Sequence, residues 1–348
     1  MKTKILTISQ TDKEFNEKIG IAAEVIKKGG LVVFPTETVY GLGADATNPD
    51  AARRIFEAKG RPSDNPLIIH VCTPADAEKY TITNETYYKL AKKFMPGPLT
   101  VILPSKDTVP LNTRAGLETV AIRCPENMIA RKLIELSGKP IAAPSANLSG
   151  TPSPTTAQHV IDDMYGRVDI IIDGGSAEFG LESTIVKIED NGDLTLLRPG
   201  KITLEDLEKI SSVNIADAVT GELKAGEKAL SPGMKYRHYA PKSPLELLDG
   251  TPRAIVDYIK NDNYKNIAII AYEDDIDFLT AELKNARFYT FGKRSDKSKQ
   301  AHILFSILRE ADKENFDKIY APVPSKSGVG LALYNRMIRA AAHKITEL

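Results

Sequence analysis

Apolar positions along the chain alternate between a helical period and short unbroken runs. Phe15, Ile19, Ala22, Ala23 and Ile26 share one face of a helix predicted over residues 12–28, which Gly29-Gly30 stops. Leu31-Val32-Val33-Phe34 is a continuous apolar run, read as a buried strand that gives way at Pro35 to the polar loop Thr36-Glu37-Thr38. Asn48-Pro49-Asp50 supplies a capping side chain followed by proline, so a helix starts there and runs to about Lys59, with Gly60 as its stop. Strands are predicted at 66–71, 99–103, 119–123, 141–143 and 168–172, and helices at 85–95 and 126–137. Residues 183–188 and 194–197 flank Asn191-Gly192, the strongest short signal for a β-hairpin.

The pattern changes after about residue 203. A short helix fits 203–210, and residues 211–244 are rich in Gly, Pro, Lys and Ser. Beyond them, strands are predicted at 267–271, 288–291 and 319–321, a helix around Ile303, Leu304, Ile307 and Leu308, and a last helix over 331–345. The expected fold is α/β: an N-terminal mixed sheet with helices over 1–210, a linker over 211–244, and a smaller parallel-sheet domain over 245–348.

A length of 348 residues agrees with two domains. Lys and Arg number 46 and so do Asp and Glu, which disfavours a protein that wraps duplex nucleic acid by clustered positive charge. Cys72 and Cys124 form no disulfide framework and suit a reducing compartment. The first residues lack a signal-peptide core, and no run of about 18 apolar residues appears. A cytoplasmic location without membrane contact is expected.

Familiar nucleotide motifs are missing. There is no GxxxxGK[ST] loop, no HExxH and no Gly-x-Ser-x-Gly elbow. Gly328-Val329-Gly330 lacks the third glycine of a dinucleotide loop and reads as a turn into a helix. Lys59-Gly60-Arg61 ends a helix where cations are favoured by the macrodipole. The same pair, followed by Pro62 and Pro66, also suits a triphosphate, with lysine as a point charge and arginine as a fork. Pro144-Ser145-Ala146-Asn147 follows a strand, where ligands of α/β sheets sit, and it is otherwise a polar turn. Thr36-Glu37-Thr38 offers hydroxyls and a carboxylate to an amino acid's ammonium and hydroxyl, or is a plain strand-to-turn passage. Arg123 at the end of an apolar strand faces solvent or awaits an anion. Residues 231–241, SPGMKYRHYAP, carry too many cations, aromatics and prolines for a passive tether.

Taken together, these segments have a family resemblance. Lys59-x-Arg61 with Ser145-x-Asn147 resembles the pattern of the YrdC-like domain, and PTETVYGLG at 35–43 resembles that domain's first loop. SPGMKYRHYAP and GVGLALYNRMIRAA at 328–341 resemble the longer members, the two-domain threonylcarbamoyl-AMP synthases. The resemblance implies a YrdC-like sheet joined by a long linker to a Rossmann-like domain. It implies that L-threonine, bicarbonate and ATP with Mg²⁺ give threonylcarbamoyl-AMP, diphosphate and water. A separate tRNA threonylcarbamoyl transferase machinery would use the product, with no stable nucleic-acid binding by this chain.

The resemblance also implies site roles. Lys59 and Arg61 would stabilise charge spreading on the phosphates. Thr36, His70, Arg123, Ala143 through its backbone, and Ser183 would hold threonine. Lys59, Ser63, Thr119, Ser145, Asn147, Ser153, Arg198 and Tyr236 would line the ATP side. Lys235, Tyr236, Arg237, His238 and Tyr239 would form a lid. No metal ligand is expected from the protein itself. An RNA-binding module without adenylating activity is the rival reading. It predicts salt-sensitive RNA affinity without nucleotide turnover.

Overall fold

The computed structural model describes residues 2–9, 11–221, 230–231 and 238–348. They form two compact units, 2–149 with 153–231 and 150–152 with 238–348. Lys235, Tyr236 and Arg237, expected in a lid, lie outside the described residues.

The first unit is built on eleven strands. They are β1 (Lys4–Thr7), β2 (Val32–Phe34), β3 (Gly41–Asp45), β4 (Ile68–His70), β5 (Leu99–Pro104), β6 (Thr119–Arg123), β7 (Ile141–Ala142), β8 (Ile170–Asp173), β9 (Thr184–Ile188), β10 (Leu194–Arg198) and β11 (Val213–Ile215). Their order is β1-β8-β2-β3-β7-β4-β6-β5-β9-β10-β11, with parallel and antiparallel neighbours mixed. The helices Phe15–Lys27 and Met128–Ser137 pack together and bury Ile19, Ile26, Ile129 and Leu133 against Val32, Phe34, Ile141 and Ile172.

Among the elements that the pattern did not predict are three strands of this sheet and the helix Ala157–Met164. Residues 41–45, expected within a loop, form β3. Val213–Ile215, expected in the linker, pairs in parallel with β10, so the first sheet continues past residue 210. Lys4–Thr7, for which no strand was expected, pairs in parallel with β8.

The second unit holds β12 (Leu245–Asp249), β13 (Ile267–Ala271), β14 (Arg287–Thr290), β15 (Lys318–Pro322) and β16 (Ile345–Glu347), all parallel. Its order, β14-β13-β15-β12-β16, places β15 between the first two strands of the unit. The layered build is therefore Rossmann-like, but the classic order of that fold is not followed. The last helix is Val329–Ala340, shorter than expected. Ala342 and His343 then take left-handed backbone (φ 48° and 62°), and the chain enters β16. Tyr239, expected in the lid, is a core side chain of this unit. Its ring stacks on Phe305 at 5.3 Å, with Arg336 5.5 Å from its centre. His238 is half-buried beside it.

Candidate functional site

Strand register assembles the polar groups of the first unit into a row. His70 on β4 pairs with Arg123 on β6, and Arg123 with Thr100 on β5. Thr100 pairs with Ile185 on β9, and Ile185 with Arg198 on β10. Residues directly opposite one another share a face of the sheet. His70, Arg123, Thr100 and Arg198 therefore stand on one face, across four strand spacings of roughly 4.8 Å each. Beside the row lies an apolar floor made by Ile68, Ala121, Ile102, Ile185 and Leu197.

Hydrogen bonds tie the row together. Arg198 Nε donates to Ser183 O at 3.0 Å, and Arg198 Nη2 to Ser183 Oγ at 3.1 Å. Ser183 Oγ is also 2.8 Å from Thr100 Oγ1. Gly200 permits this approach, because a Cβ there would stand 2.6 Å from Thr184 N and 2.8 Å from Glu182 O. Arg123 Nη2 donates to Glu37 Oε1 at 2.6 Å and to Thr38 Oγ1 at 2.9 Å. Glu37 Oε2 accepts from the N–H groups of Glu126 and Asn127, at the start of the helix Met128–Ser137. Glu37 is therefore a buried positioning carboxylate held by Arg123 and a helix N-terminus. The possibility that it receives a substrate ammonium does not fit these partners.

His70 is fully buried, with its ring edge-on to Phe34. Burial first, and Arg123 second, push its pKa down to about 3, so the imidazole is neutral at ordinary pH. Its Nδ1 lies 3.3 Å from Ile141 O, which as an acceptor assigns the proton to Nδ1 and leaves Nε2 as an acceptor.

Lys59 is the last residue of the helix Pro49–Lys59, which Asn48 caps through Asp50 N and Ala51 N and Gly60 ends in the left-handed region. Only 3% of Lys59 is exposed. Its Nζ donates to Ser145 O at 2.5 Å and Asn147 O at 2.6 Å, with Asn147 Oδ1 at 3.4 Å. Ser145 Oγ in turn donates to Asn147 Oδ1. Two motifs that are 86 residues apart in sequence thus share one ammonium group.

The neighbouring loops are laced by backbone bonds. Tyr40 N donates to Pro154 O, Ala146 N to Tyr40 O, Phe179 N to Glu37 O and Gly180 N to Thr38 O. Ser153 Oγ donates to Glu182. Thr36 Oγ1 donates to Val39 O at 2.6 Å and caps its own turn. Ala143 N–H is given to Ile68 O, so a ligand contact there falls to the carbonyl.

Three further predicted residues stand outside this row. Thr119 begins β6, four residues from Arg123 and at the far end of the apolar floor. Arg61 Nη2 donates to Asn65 O at 3.1 Å and Pro66 O at 3.3 Å, so this arginine braces its own loop. Ser63 lines a cleft of 880 Å³ with Arg61, Phe56 and Leu111. Two contributors, Thr100 and the positioning role of Glu37, were not anticipated. The cross-strand register that exposes them is not readable before the sheet order is known.

Comparison with known proteins agrees with both halves of the chain. Residues 24–200 match the family described as telomere recombination, and residues 202–342 match the threonylcarbamoyl-AMP synthase C-terminal domain. A threonylcarbamoyl-AMP synthase of Pyrococcus abyssi is 43% identical, covering 99% of this chain and 100% of its own length. One from Bacillus subtilis is 42% identical, covering 99% of each. The crystal structure of the P. abyssi protein complexed with L-threonine superposes with a TM-score of 0.88 at 41% identity, over 99% of this chain and 100% of that one. With full-length relatives at this identity and a matched fold, the chain belongs to the threonylcarbamoyl-AMP synthase family.

Proposed function

We propose that this chain condenses L-threonine, bicarbonate and ATP into threonylcarbamoyl-AMP with release of diphosphate and water, and that the polar face of the first unit carries out the reaction. The observation that carries this reading is the buried Lys59 ammonium, gripped by the Ser145–Asn147 loop, in the same unit as the row of His70, Arg123 and Arg198. The L-threonine complex of the P. abyssi relative supports the amino-acid half.

Each residue has a chemical task in this reading. Arg123, oriented by Glu37 and Thr38, takes the threonine carboxylate. Neutral His70 accepts from the threonine hydroxyl or ammonium through Nε2. Thr36, the Ala143 carbonyl and Ser183 close that end. Ser63, Thr119, Ser145, Asn147, Ser153 and Arg198 flank the nucleotide, with Tyr236 assigned to the same side.

The threonine amine and bicarbonate form a carbamate, and a carbamate oxygen attacks the α-phosphorus as diphosphate leaves. Two anions meet in that step, so fixed positive charge lowers the barrier. Lys59 supplies it through the carbonyl-lined loop and Arg198 from the row. Arg61 contributes as a brace for the loop that carries Lys59. Holding two small substrates beside ATP accounts for much of the acceleration, and no protein nucleophile takes part.

Mg²⁺ would arrive on the phosphate oxygens and neutralise charge there. Among the described residues no group of three or more His, Cys, Asp or Glu could hold a metal ion. The product would pass to a tRNA-modifying transferase in the cytoplasm. No helix among the described residues is long and apolar enough to cross a membrane.

Diphosphate release measured with threonine, bicarbonate and ATP, each omitted in turn, tests the proposal. All three are expected to be required. Release that is indifferent to threonine, or RNA binding without release, overturns it.

A further inference from the structure

The loop between β2 and β3 holds a run of hydroxyls whose direction follows from its ends. Thr36 and Thr38 are both buried. Thr36 Oγ1 donates to Val39 O at 2.6 Å, and a hydroxyl carries one proton. In the 2.8 Å contact between Thr36 Oγ1 and Thr38 Oγ1, the donor is therefore Thr38. Thr38 Oγ1 in turn accepts from Arg123 Nη2 at 2.9 Å, because a guanidinium only donates. The run goes from Arg123 to Thr38 to Thr36 to Val39 O, with every donor facing an acceptor. Each hydroxyl in such a run is polarised by the one before it, which strengthens the next bond.

The same accounting limits what Thr36 can offer a ligand. Its Oγ1 receives the Thr38 proton and also the N–H groups of Thr38 and Val39, each at 3.2 Å. One proton and two lone pairs are then fully engaged. A hydroxyl contact with threonine, as the family resemblance implies for Thr36, has no capacity left in this arrangement. Direct contact from Thr36 falls to its backbone. The turn that anchors the run is pinned from the other side, where Phe179 N donates to Glu37 O and Gly180 N to Thr38 O. Arg123 Nη2 is thus held twice, by the Glu37 carboxylate and by a directed hydroxyl run that ends on fixed backbone.

We infer that Thr36 and Thr38 are positioning residues for the substrate carboxylate: their hydroxyls aim the Arg123 guanidinium, and the Thr36 side chain acts through Arg123 instead of touching threonine. The inference rests on the proposed use of Arg123 and deepens it.

The test compares three ligands on the full chain. They are L-threonine, L-2-aminobutyrate, which lacks the side-chain hydroxyl, and L-threoninol, in which an alcohol replaces the carboxylate. Thr38→Val keeps the shape, breaks the run and leaves the Thr36 bond to Val39 O in place. It is expected to bind L-threonine and L-2-aminobutyrate about tenfold more weakly, the low end for a hydrogen bond to a charged group. L-Threoninol, with no carboxylate for Arg123, is expected to bind as it does to the wild type. Thr38→Ser restores the hydroxyl and should restore both affinities. In turnover, KM for threonine should carry the loss, with kcat and KM for ATP nearly constant. ATP binding serves as the check on folding.

If Thr38→Val does not fold, Thr38→Cys supplies a thiol that donates and accepts weakly. A loss of about threefold, confined to the two carboxylate ligands, is then expected. Equal losses for all three ligands would mean that Thr38 only supports the loop, and would overturn the inference. So would a loss confined to the two ligands that carry the side-chain hydroxyl, or unchanged threonine affinity in folded Thr38→Val. A wild-type chain that binds no threonine would instead defeat the synthase reading, so the two failures are distinguishable.

Discussion

Each unit buries a carboxylate among cations, and the two clusters end in different ways. In the first, Glu37 is satisfied by Arg123 and two backbone N–H groups. Arg123 uses Nη2 for Glu37 and Thr38, while its buried Nε has no partner. In the second, Glu246 is 1% exposed and sits between Lys318 and Lys344, each 2.6 Å from Oε2. Its Oε1 takes the hydroxyls of Tyr258 and Thr346. The Glu246 cluster joins β12, β15, β16 and the helix Pro252–Lys260 into one closed knot. The Arg123 cluster keeps donor capacity on a face shared with His70 and Arg198. Buried charge by itself does not mark a site. A network that retains unused donors beside other buried polar groups does.

Substitutions should separate the two clusters cleanly, and Lys59→Met should do so most strongly. It keeps the apolar stem and removes the ammonium that joins the two motifs. Adenylate formation is expected to fall about a thousandfold, the upper range for losing one preorganised electrostatic contact. Diphosphate release gives the rate, and calorimetry gives the melting temperature. A folded variant with near-normal turnover would contradict the assignment of Lys59.

Glu246→Gln should act in the opposite sense. Removing one partner of a buried ion pair typically costs about 3–5 kcal/mol. The transition of the second unit should move down in calorimetry. Amides of β12, β15 and β16 should exchange faster, and threonine affinity should hold. Replacing Glu246 and Lys318 together with apolar residues of similar volume should recover much of the loss. If the single variant leaves exchange unchanged, the closed knot contributes little.

The pH response of Glu246 is smaller and has a definite sign. Burial raises its pKa, but the hydrogen bonds from Lys318, Lys344, Thr346 and Tyr258 together bring it from 4.5 to about 2. A depressed carboxylate stabilises the fold above its unfolded value, and that stabilisation is lost as pH falls from 4.5 toward 2. With allowance for the half-exposed Lys344, the loss is on the order of 2 kcal/mol. Lys318 works against it. Burial lowers its pKa, so its charge costs stability throughout the range below 10.5. Melting temperatures across pH 2–7 should show the acid loss in the wild type and not in Glu246→Gln.

How far these clusters were legible in the sequence depended on whether local signals existed. The helix Pro49–Lys59 has Asn48 and Gly60 at its ends, and its bounds follow from them. The hairpin at Asn191-Gly192 is equally local. Strand β3 was hidden because Gly41-Leu42-Gly43 lacks strand propensity. Its glycines answer to tertiary packing, since a Cβ on Gly43 would stand 2.6 Å from Phe34 Cε1 and 2.7 Å from Ile141 Cγ2. The end of the last helix was hidden because Ala342 and His343 turn the chain without glycine or proline. Arg123 stood out as a cation ending an apolar strand. Its orientation by Glu37 and its alignment with Thr100 and Arg198 arise only once β6, β5, β9 and β10 lie side by side. The Glu246 knot is non-local for the same reason.

The finest distinction between the clusters lies in Glu37→Gln. The amide still offers Oε1 to Arg123, so the arginine keeps a neutral partner. Its Nε2 now points donors at the N–H groups of Glu126 and Asn127, which lose their acceptor. Arg123 should therefore be held less firmly while its charge stays in place. A residue that acts through another should change threonine binding more than the chemical step. KM for threonine is expected to rise about tenfold with kcat nearly constant, a difference of roughly 1.4 kcal/mol. Glu37→Ala should add a folding defect that Gln does not share. An equal fall in kcat with unchanged KM would mean that Glu37 touches the reacting atoms. In that case the first cluster would be open at its carboxylate as well as at its arginine.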